Sequence, residues 1–236
     1  MDNHFTYHRM SGNSLLINVL SAGQDAVCNR FHAAHAIQAY YKNDVIINHG
    51  VESLLVMWPS HLLTQSLIAT VKNLVNTPKN SILKTGTNWK LPIYYNRAAA
   101  DLLEVAQQLG MPVERVITLH KAAVYDVACM GFLPGFPYLS GLPAQLNIAR
   151  KAIPAIKVAA GAVAIAAAMC GIYPQESPGG WYVLGNCAIP LFDKERARPF
   201  LLKTMDSLSF YEIDLVTFKQ LTQEAKTLNL NNFKHG

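Results

Sequence analysis

The sequence predicts an α+β chain in two parts: a small ferredoxin-like domain, then a larger domain of short strands forming a β-barrel or sandwich. Three observations predict it. From residue 14 to about residue 85, apolar runs of strand length alternate with helical stripes in the order β, α, β, β, α, β, which is that of a ferredoxin-like split unit. After His120 the chain becomes a series of short extended pieces punctuated by Gly and Pro. Finally, 236 residues, 51% of them hydrophobic, suffice for one large domain or two small ones with buried cores.

In order, residues 14–20 (SLLINVL) read as a buried strand, and Val27, Phe31, Ala34, Ile37 and Tyr41 recur at helical steps. VIIN at 45–48 and SLLVMW at 53–58 read as strands joined through HGVE, a hairpin connection. Ser60 is the expected cap of a helix whose face is Leu63, Leu67, Val71 and Leu74. A turn at NTPKN leads to an extended piece near 81–93, closing a first domain, 1–88, ahead of a second, 89–236. There NRAAADLLEVAQQLG reads as a helix with Leu102, Ala106 and Leu109 inward and Gly110 ending it, and MPVERVITLH as another with Pro112 in its first turn. YDVACM, AGAVAIAAA, WYVLG, AIPLF and DSLSFYEI read as strands. A helix near 215–229, with Leu215, Phe218, Leu221 and Ala225 on one face, completes the chain.

Charge argues against a nucleic-acid partner. The net charge of +5 is spread along the chain, with seven Lys/Arg against four Asp/Glu up to residue 90 and thirteen against eleven thereafter. The nearest approach to a basic block, KERAR at 194–198, reads as a solvated turn. Cys28, Cys129, Cys170 and Cys187 are far apart and form no CxxC pair, so neither zinc nor a disulfide framework is expected. His32 and His35 sit three apart on a helix, too few ligands for a metal centre, and no metal is expected. The start has no signal-peptide pattern, and the most apolar run, at 158–170, is too short for a bilayer, so the expectation is a cytoplasmic protein without membrane contact.

One segment carries more information than the rest. Residues 131–143, GFLPGFPYLSGLP, combine glycines and prolines with Phe132, Phe136 and Tyr138 and contain no charge. Gly and Pro exclude a helix or a central strand, so the segment reads as a shaped loop packed on its own domain or on a ligand.

The succession Leu119-His120, Tyr125 and Val127, GFLPGFPYLSGLP, GIYPQESPGGWYVLG and LFD resembles the family of 5-oxoprolinase B subunits, also described as allophanate hydrolase subunit 1 or the Kip-type kinase inhibitor family. The resemblance covers roughly residues 91–213. It implies a cyclophilin-like β-barrel of the carboxyltransferase subdomain C and D type as the second domain. It further implies a B subunit that works with a C subunit of related barrel fold and a TIM-barrel-like A subunit. Together these open 5-oxoproline to glutamate using ATP, with the B subunit inactive alone. Some relatives are regulators instead, inhibiting a sensor histidine kinase, and that is the alternative function.

The resemblance also points to site residues. His120 matches a family histidine and suits proton transfer, although a helix end is its other reading. The N–H groups of Gly135 and Phe136 are candidate donors to a carboxylate or phosphate, with Phe136 and Tyr138 as apolar walls; a packed crossover is the other reading. Arg150 falls where the family has arginine and suits a carboxylate clamp, unless it faces solvent. Gly179 and Gly180 belong to the second tight turn, SPGGW at 177–181, with Gln175 beside it, and Trp181 reads as core. No GxxxxGK[ST] segment is present, so ATP, expected in the complex, has no P-loop on this chain. Where the family reads PRxxxPRxxVPAGSVAIAGxQTGIYP, this chain reads ARKAIPAIKVAAGAVAIAAAMCGIYP. Ala155, Ala159, Ala162, Met169 and Cys170 thus replace Arg, Pro, Ser, Gln and Thr, which implies altered or reduced turnover.

Overall fold

In a computed structural model, which describes residues 4–20, 23–76, 86–225 and 227–235, the chain divides into two units, Met1–Thr85 and Gly86–Gly236. The first contains β1 (Phe5–Ser11), β2 (Ser14–Val19), α1 (Gly23–Tyr41), β3 (Ile46–His49), β4 (Ser53–Met57) and α2 (Gln65–Val75). Its sheet runs β1-β2-β4-β3, every pair antiparallel. In a ferredoxin-like unit the strand after the second helix lies beside the first; here that edge is held by β1, from the N-terminal side. Of the expected last strand, residues 81–85 lie outside the described residues, and Asn88 begins a strand of the second unit. β1 escapes the sequence reading because, as an edge strand, it buries only Phe5 and shows no alternation. The core gathers Leu15, Ile17 and Val19 of β2, Leu54 and Val56 of β4, Ala33 and Ile37 of α1 and Val71 and Val75 of α2. The cap of α2 is Thr64 rather than Ser60, its hydroxyl accepting from the Leu67 N–H at 3.2 Å. Leu63 before that cap and Ile68 after it both join the core, as in a hydrophobic staple, which fixes the later start.

The second unit contains β5 (Asn88–Tyr94), α3 (Ala100–Gln108), α4 (Val113–Ala122), β6 (Val124–Met130), β7 (Pro137–Ser140), β8 (Ala155–Val158), β9 (Ala162–Ala166), β10 (Met169–Ile172), β11 (Ser177–Gly179), β12 (Tyr182–Cys187), β13 (Ser207–Glu212), α5 (Leu215–Gln223) and β14 (Lys234–His235). Strands β12, β9, β10, β7, β6, β13 and β5 bond in that order, and β12 pairs back to β5, closing a barrel of seven strands. β8 and β11 form a separate two-stranded arm. Inside are Leu91, Ile93, Tyr125, Val127, Val163, Ile165, Ile172, Leu208 and Phe210, joined by Leu102 and Val105 of α3 and Val116 and Ile117 of α4. Each such side chain contributes roughly 1.5–3 kcal/mol by leaving water. Gly110 (φ 62°) ends α3 as expected: its N–H donates to the Gln107 carbonyl at 3.2 Å and that of Met111 to Ala106 at 3.0 Å, a Schellman motif. No helix among the described residues is long and apolar enough to cross a membrane.

Three local readings change. AIPLF is no strand; it makes a single bridge, Phe192 to Phe200. Within GFLPGFPYLSGLP, Pro137 opens β7, which lies centrally between β6 and β10; a proline is tolerated because the first strand residue need not donate. The apolar run AGAVAIAAA is not one strand but β9 followed by a two-residue turn at Ala167 and Ala168, which hold φ of 48° and 62° between the paired Ala166 and Met169. This is the left-handed geometry of a type I′ hairpin, usually occupied by Asn or Gly, and the family pattern above has Gly at position 167. Ala167→Gly is accordingly expected to raise stability by about 0.5–1 kcal/mol, read as a higher denaturant midpoint at unchanged m-value.

Candidate functional site

Side chains alternate across the barrel wall. On β9, Val163 and Ile165 face inward, while Ala162, Ala164 and Ala166 belong to a separate outer cluster. The outer face there is made of very small residues, so flat rings can lie against it. Phe136, Tyr173 and Trp181 do so: Phe136 meets Tyr173 edge-on at 5.2 Å, Trp181 at 5.8 Å and Tyr138 at 5.0 Å between centroids. Gly171 of β10 is required by this stacking, since a Cβ there would lie 2.7 Å from Phe136 Cζ and 3.0 Å from Trp181 Cζ3. Gly179, on the arm, is crowded likewise by the Tyr173 ring, whose hydroxyl would lie 2.3 Å from a Cβ. Gly171→Ala is expected to push the rings apart, lowering stability by about 1–3 kcal/mol and weakening ligand binding in the adjoining cavity. Thermal unfolding together with Trp181 fluorescence checks both.

The cavity has a volume of about 290 Å³ and is lined by Phe132, Phe136, Tyr138, Tyr173 and Trp181, the Gly179-Gly180 turn, and Arg150 and Lys151. Phe132, 60% exposed, stands at the rim with a left-handed backbone (φ 66°), edge-on to Phe136 and Tyr173. The two cations differ. Lys151 is committed: its ammonium pairs with Asp101 at 2.6 Å, and the other oxygen of Asp101 accepts the Val183 N–H at 2.8 Å. Arg150, exposed, has no ion pair among the described residues. Burial holds the Tyr138 and Tyr173 hydroxyls above the ordinary phenol range, against the opposing pull of the Arg150 charge. The result is an aromatic recess with phenol hydroxyls and one uncommitted guanidinium, suited to a small ring that carries a carboxylate.

Of the residues expected at the site, Phe136, Tyr138, Arg150, Gly179 and Gly180 meet in this cavity. Gly135 does not: it faces Phe192 and Pro174, and a Cβ there would lie 2.8 Å from Phe192 Cβ. The Phe136 N–H is not a free donor either, because it closes a turn onto the Leu133 carbonyl at 3.0 Å. Gln175 is exposed and outside the lining. Tyr173, Trp181, Phe132 and Lys151 were not singled out as binding residues. The first three fall within the family motifs, and Lys151 adjoins Arg150, so motif membership was the signal that could have found them.

His120 lies elsewhere, with 0% exposure in the barrel interior. Tyr95 Oη is 2.8 Å from its Nδ1, Cys170 Sγ is 3.5 Å from its Nε2, and Phe210 stacks on the ring at 5.1 Å. Burial lowers its pKa to about 3. Cys170 and Gly171 are consecutive on β10 and point to opposite faces, the first at His120 and the second at Phe136 and Trp181. The strand wall therefore separates the histidine from the cavity.

Residues 5–202 match the carboxyltransferase domain, subdomain C and D. The 5-oxoprolinase B subunit of Haemophilus influenzae is 36% identical over 179 residues, 75% of this chain and 84% of that one. The chain belongs to the 5-oxoprolinase B-subunit family. The family member of Escherichia coli is 42% identical over 122 residues, covering 51% of this chain and 56% of the relative, so the alignment spans just over half of its length. Among solved structures, TTHA0988 matches with a TM-score of 0.69 at 30% identity, covering 85% of this chain and 39% of that one.

Three of the residues that depart from the family's pattern pack around the recess. Ala162 lies buried beneath the aromatic rings, and Met169 and Ala155 pack against the same cluster. Cys170 faces inward to His120. Three departures thus make the support of the cavity more apolar in this 5-oxoprolinase B-type chain, while Arg150 at its mouth is retained.

Proposed function

We propose that this chain is the substrate-holding B subunit of an ATP-dependent 5-oxoprolinase-like amide hydrolase, acting with the C and A subunits. The observation that carries the reading is the uncommitted Arg150 at the mouth of an aromatic recess. 5-Oxoproline is a small ring with one carboxylate: the guanidinium matches the carboxylate bidentately, the rings cover the lactam faces, and the Tyr138 and Tyr173 hydroxyls offer polar partners to the lactam edge. The described residues of the lining include no histidine, cysteine or carboxylate to serve as a general acid or base. Its work is to bind and orient, and the proton-transfer groups come from the partners. This agrees with a component that is inactive alone.

The test is 5-oxoproline-dependent ATP hydrolysis by the other two components with and without this chain. Turnover that appears only on addition supports the reading. No turnover, with the partners shown competent using an ordinary B subunit, overturns it and leaves the Kip-type regulator. If the apolar replacements weaken the site, Ala155→Arg combined with Met169→Gln is expected to tighten 5-oxoproline binding about tenfold, measured calorimetrically. Ala155 is paired with Gly179 of the lining, so a longer side chain there reaches the cavity wall.

A further inference from the structure

A second cavity, of about 270 Å³, shares no lining residue with the first. Three cations from separate segments surround it: Arg198 from the KERAR turn, Lys203 from the turn before β13, and Lys234 from β14. The fold brings them together because β14 pairs with β5, placing Lys234 opposite Trp89, while the Ser207 N–H donates to the Thr87 carbonyl at 3.0 Å. The one carboxylate in the lining, Asp206, is 1% exposed and turned inward. It accepts from the Thr87 N–H at 2.7 Å, the Trp89 indole N–H at 3.0 Å and the Lys203 N–H at 3.0 Å. Its bonding capacity is used in holding the cavity's own walls.

None of the three cations has an ion pair among the described residues, a state they share with Arg150, whereas the other cations beside the clefts are paired. Arg97 pairs with Glu114 and Glu212, Lys121 with Glu212, and Lys151 with Asp101. Three like charges around one concavity repel one another and concentrate positive potential inside it. A single carboxylate would satisfy one of them; a ligand with several negative charges on a short chain satisfies all. Nucleic acid is a poorer match, since it needs an extended basic groove with successive stacking rings, and here there is a compact recess with one exposed ring at its rim, Phe200, 51% exposed and packed on Phe192 at 5.2 Å. We propose that this cavity binds the phosphate chain of a small phosphorylated molecule, either pyrophosphate or the tail of a nucleoside polyphosphate. The site does not depend on the reading of the Arg150 cavity.

Calorimetric titration of the full chain with pyrophosphate, ATP and inorganic phosphate at fixed ionic strength tests it. Saturable one-site binding of pyrophosphate and ATP is expected, with inorganic phosphate at least about tenfold weaker, because fewer charge-assisted bonds form. Lys203→Glu and Arg198→Ala should each weaken pyrophosphate binding about tenfold or more, and Arg150→Ala should leave it unchanged. ATP binding tighter than pyrophosphate, with the difference removed by Phe200→Ala, identifies a nucleotide; equal affinities identify the phosphate chain alone. Absence of saturable binding, or binding insensitive to both Lys203→Glu and Arg198→Ala, overturns the proposal. These side chains are exposed, so melting curves of the variants should coincide with that of the parent protein.

Discussion

Replacing Arg150 by alanine is expected to weaken binding of 5-oxoproline about 100-fold while leaving folding stability within about 0.5 kcal/mol of the parent protein. The two halves of this expectation have separate causes. Arg150 has no ion pair among the described residues, so the folded state loses little when it is shortened. A carboxylate in the recess would lose the only guanidinium among the described residues of the lining, and Tyr138 and Tyr173, whose phenols burial holds neutral, carry no positive charge to replace it. Lys151 cannot move in, since its pair with Asp101 ties the cavity wall to β12 through the Val183 N–H. Arg150→Lys should recover only part of the affinity, as an ammonium does not reproduce the planar fork. Quenching of Trp181 on titration follows binding to the chain alone, and the KM for 5-oxoproline follows it in the assembled complex. An affinity for 5-oxoproline within twofold of the parent protein in both assays would remove the carboxylate clamp from the account.

The helices were legible because a 3.6-residue stripe survives any sequence context: Leu102, Val105 and Ala106 turn inward on α3 as their spacing requires. Strands were legible where a short apolar run stands between turns, as on β2. The alanine-rich stretch from 158 to 170 defeats that logic, because β9 is buried on both faces and its left-handed turn is made of alanine rather than Asn-Gly. The same ambiguity hid half of the site. Tyr173 and Trp181 look like ordinary core residues in sequence, and which face of the wall they lie on is decided only when Gly171 and the alanines of β9 leave room outside. The arm of β8 and β11 was also missed, for its strands have four and three residues and bury only Val158. His120 shows the opposite failure. The motif marked it as important, and the helix end made a charged ring plausible, but the spacing along α4 with Val116 and Ile117 turns it into the interior.

Lowering the pH from 7 toward 4 is expected to destabilise the protein with a component that belongs to His120. The neutral ring is enclosed by Tyr95, Tyr125, Phe210 and Cys170, and burial lowers its pKa to about 3, against about 6.5 in an unfolded chain. Above pH 6.5 the residue is neutral in both states and its contribution is complete. Between 6.5 and 3 the unfolded chain takes up a proton that the folded one refuses, so stability falls by up to about 1.4 kcal/mol per pH unit. Below 3 both states are protonated and the loss levels off. In His120→Gln this slope should disappear, leaving only the part due to carboxylates, and the comparison of denaturant midpoints from pH 7 to pH 4 isolates it. The substitution is also expected to lower stability at pH 7 by about 2–4 kcal/mol, through loss of the stack on Phe210 and of the 2.8 Å hydrogen bond with Tyr95. Since β10 stands between His120 and the aromatic recess, whatever fraction of the variant remains folded should bind 5-oxoproline with parental affinity. A fully folded variant that has lost binding, or an unchanged pH slope, would mean that the imidazole acts at the ligand rather than through the fold.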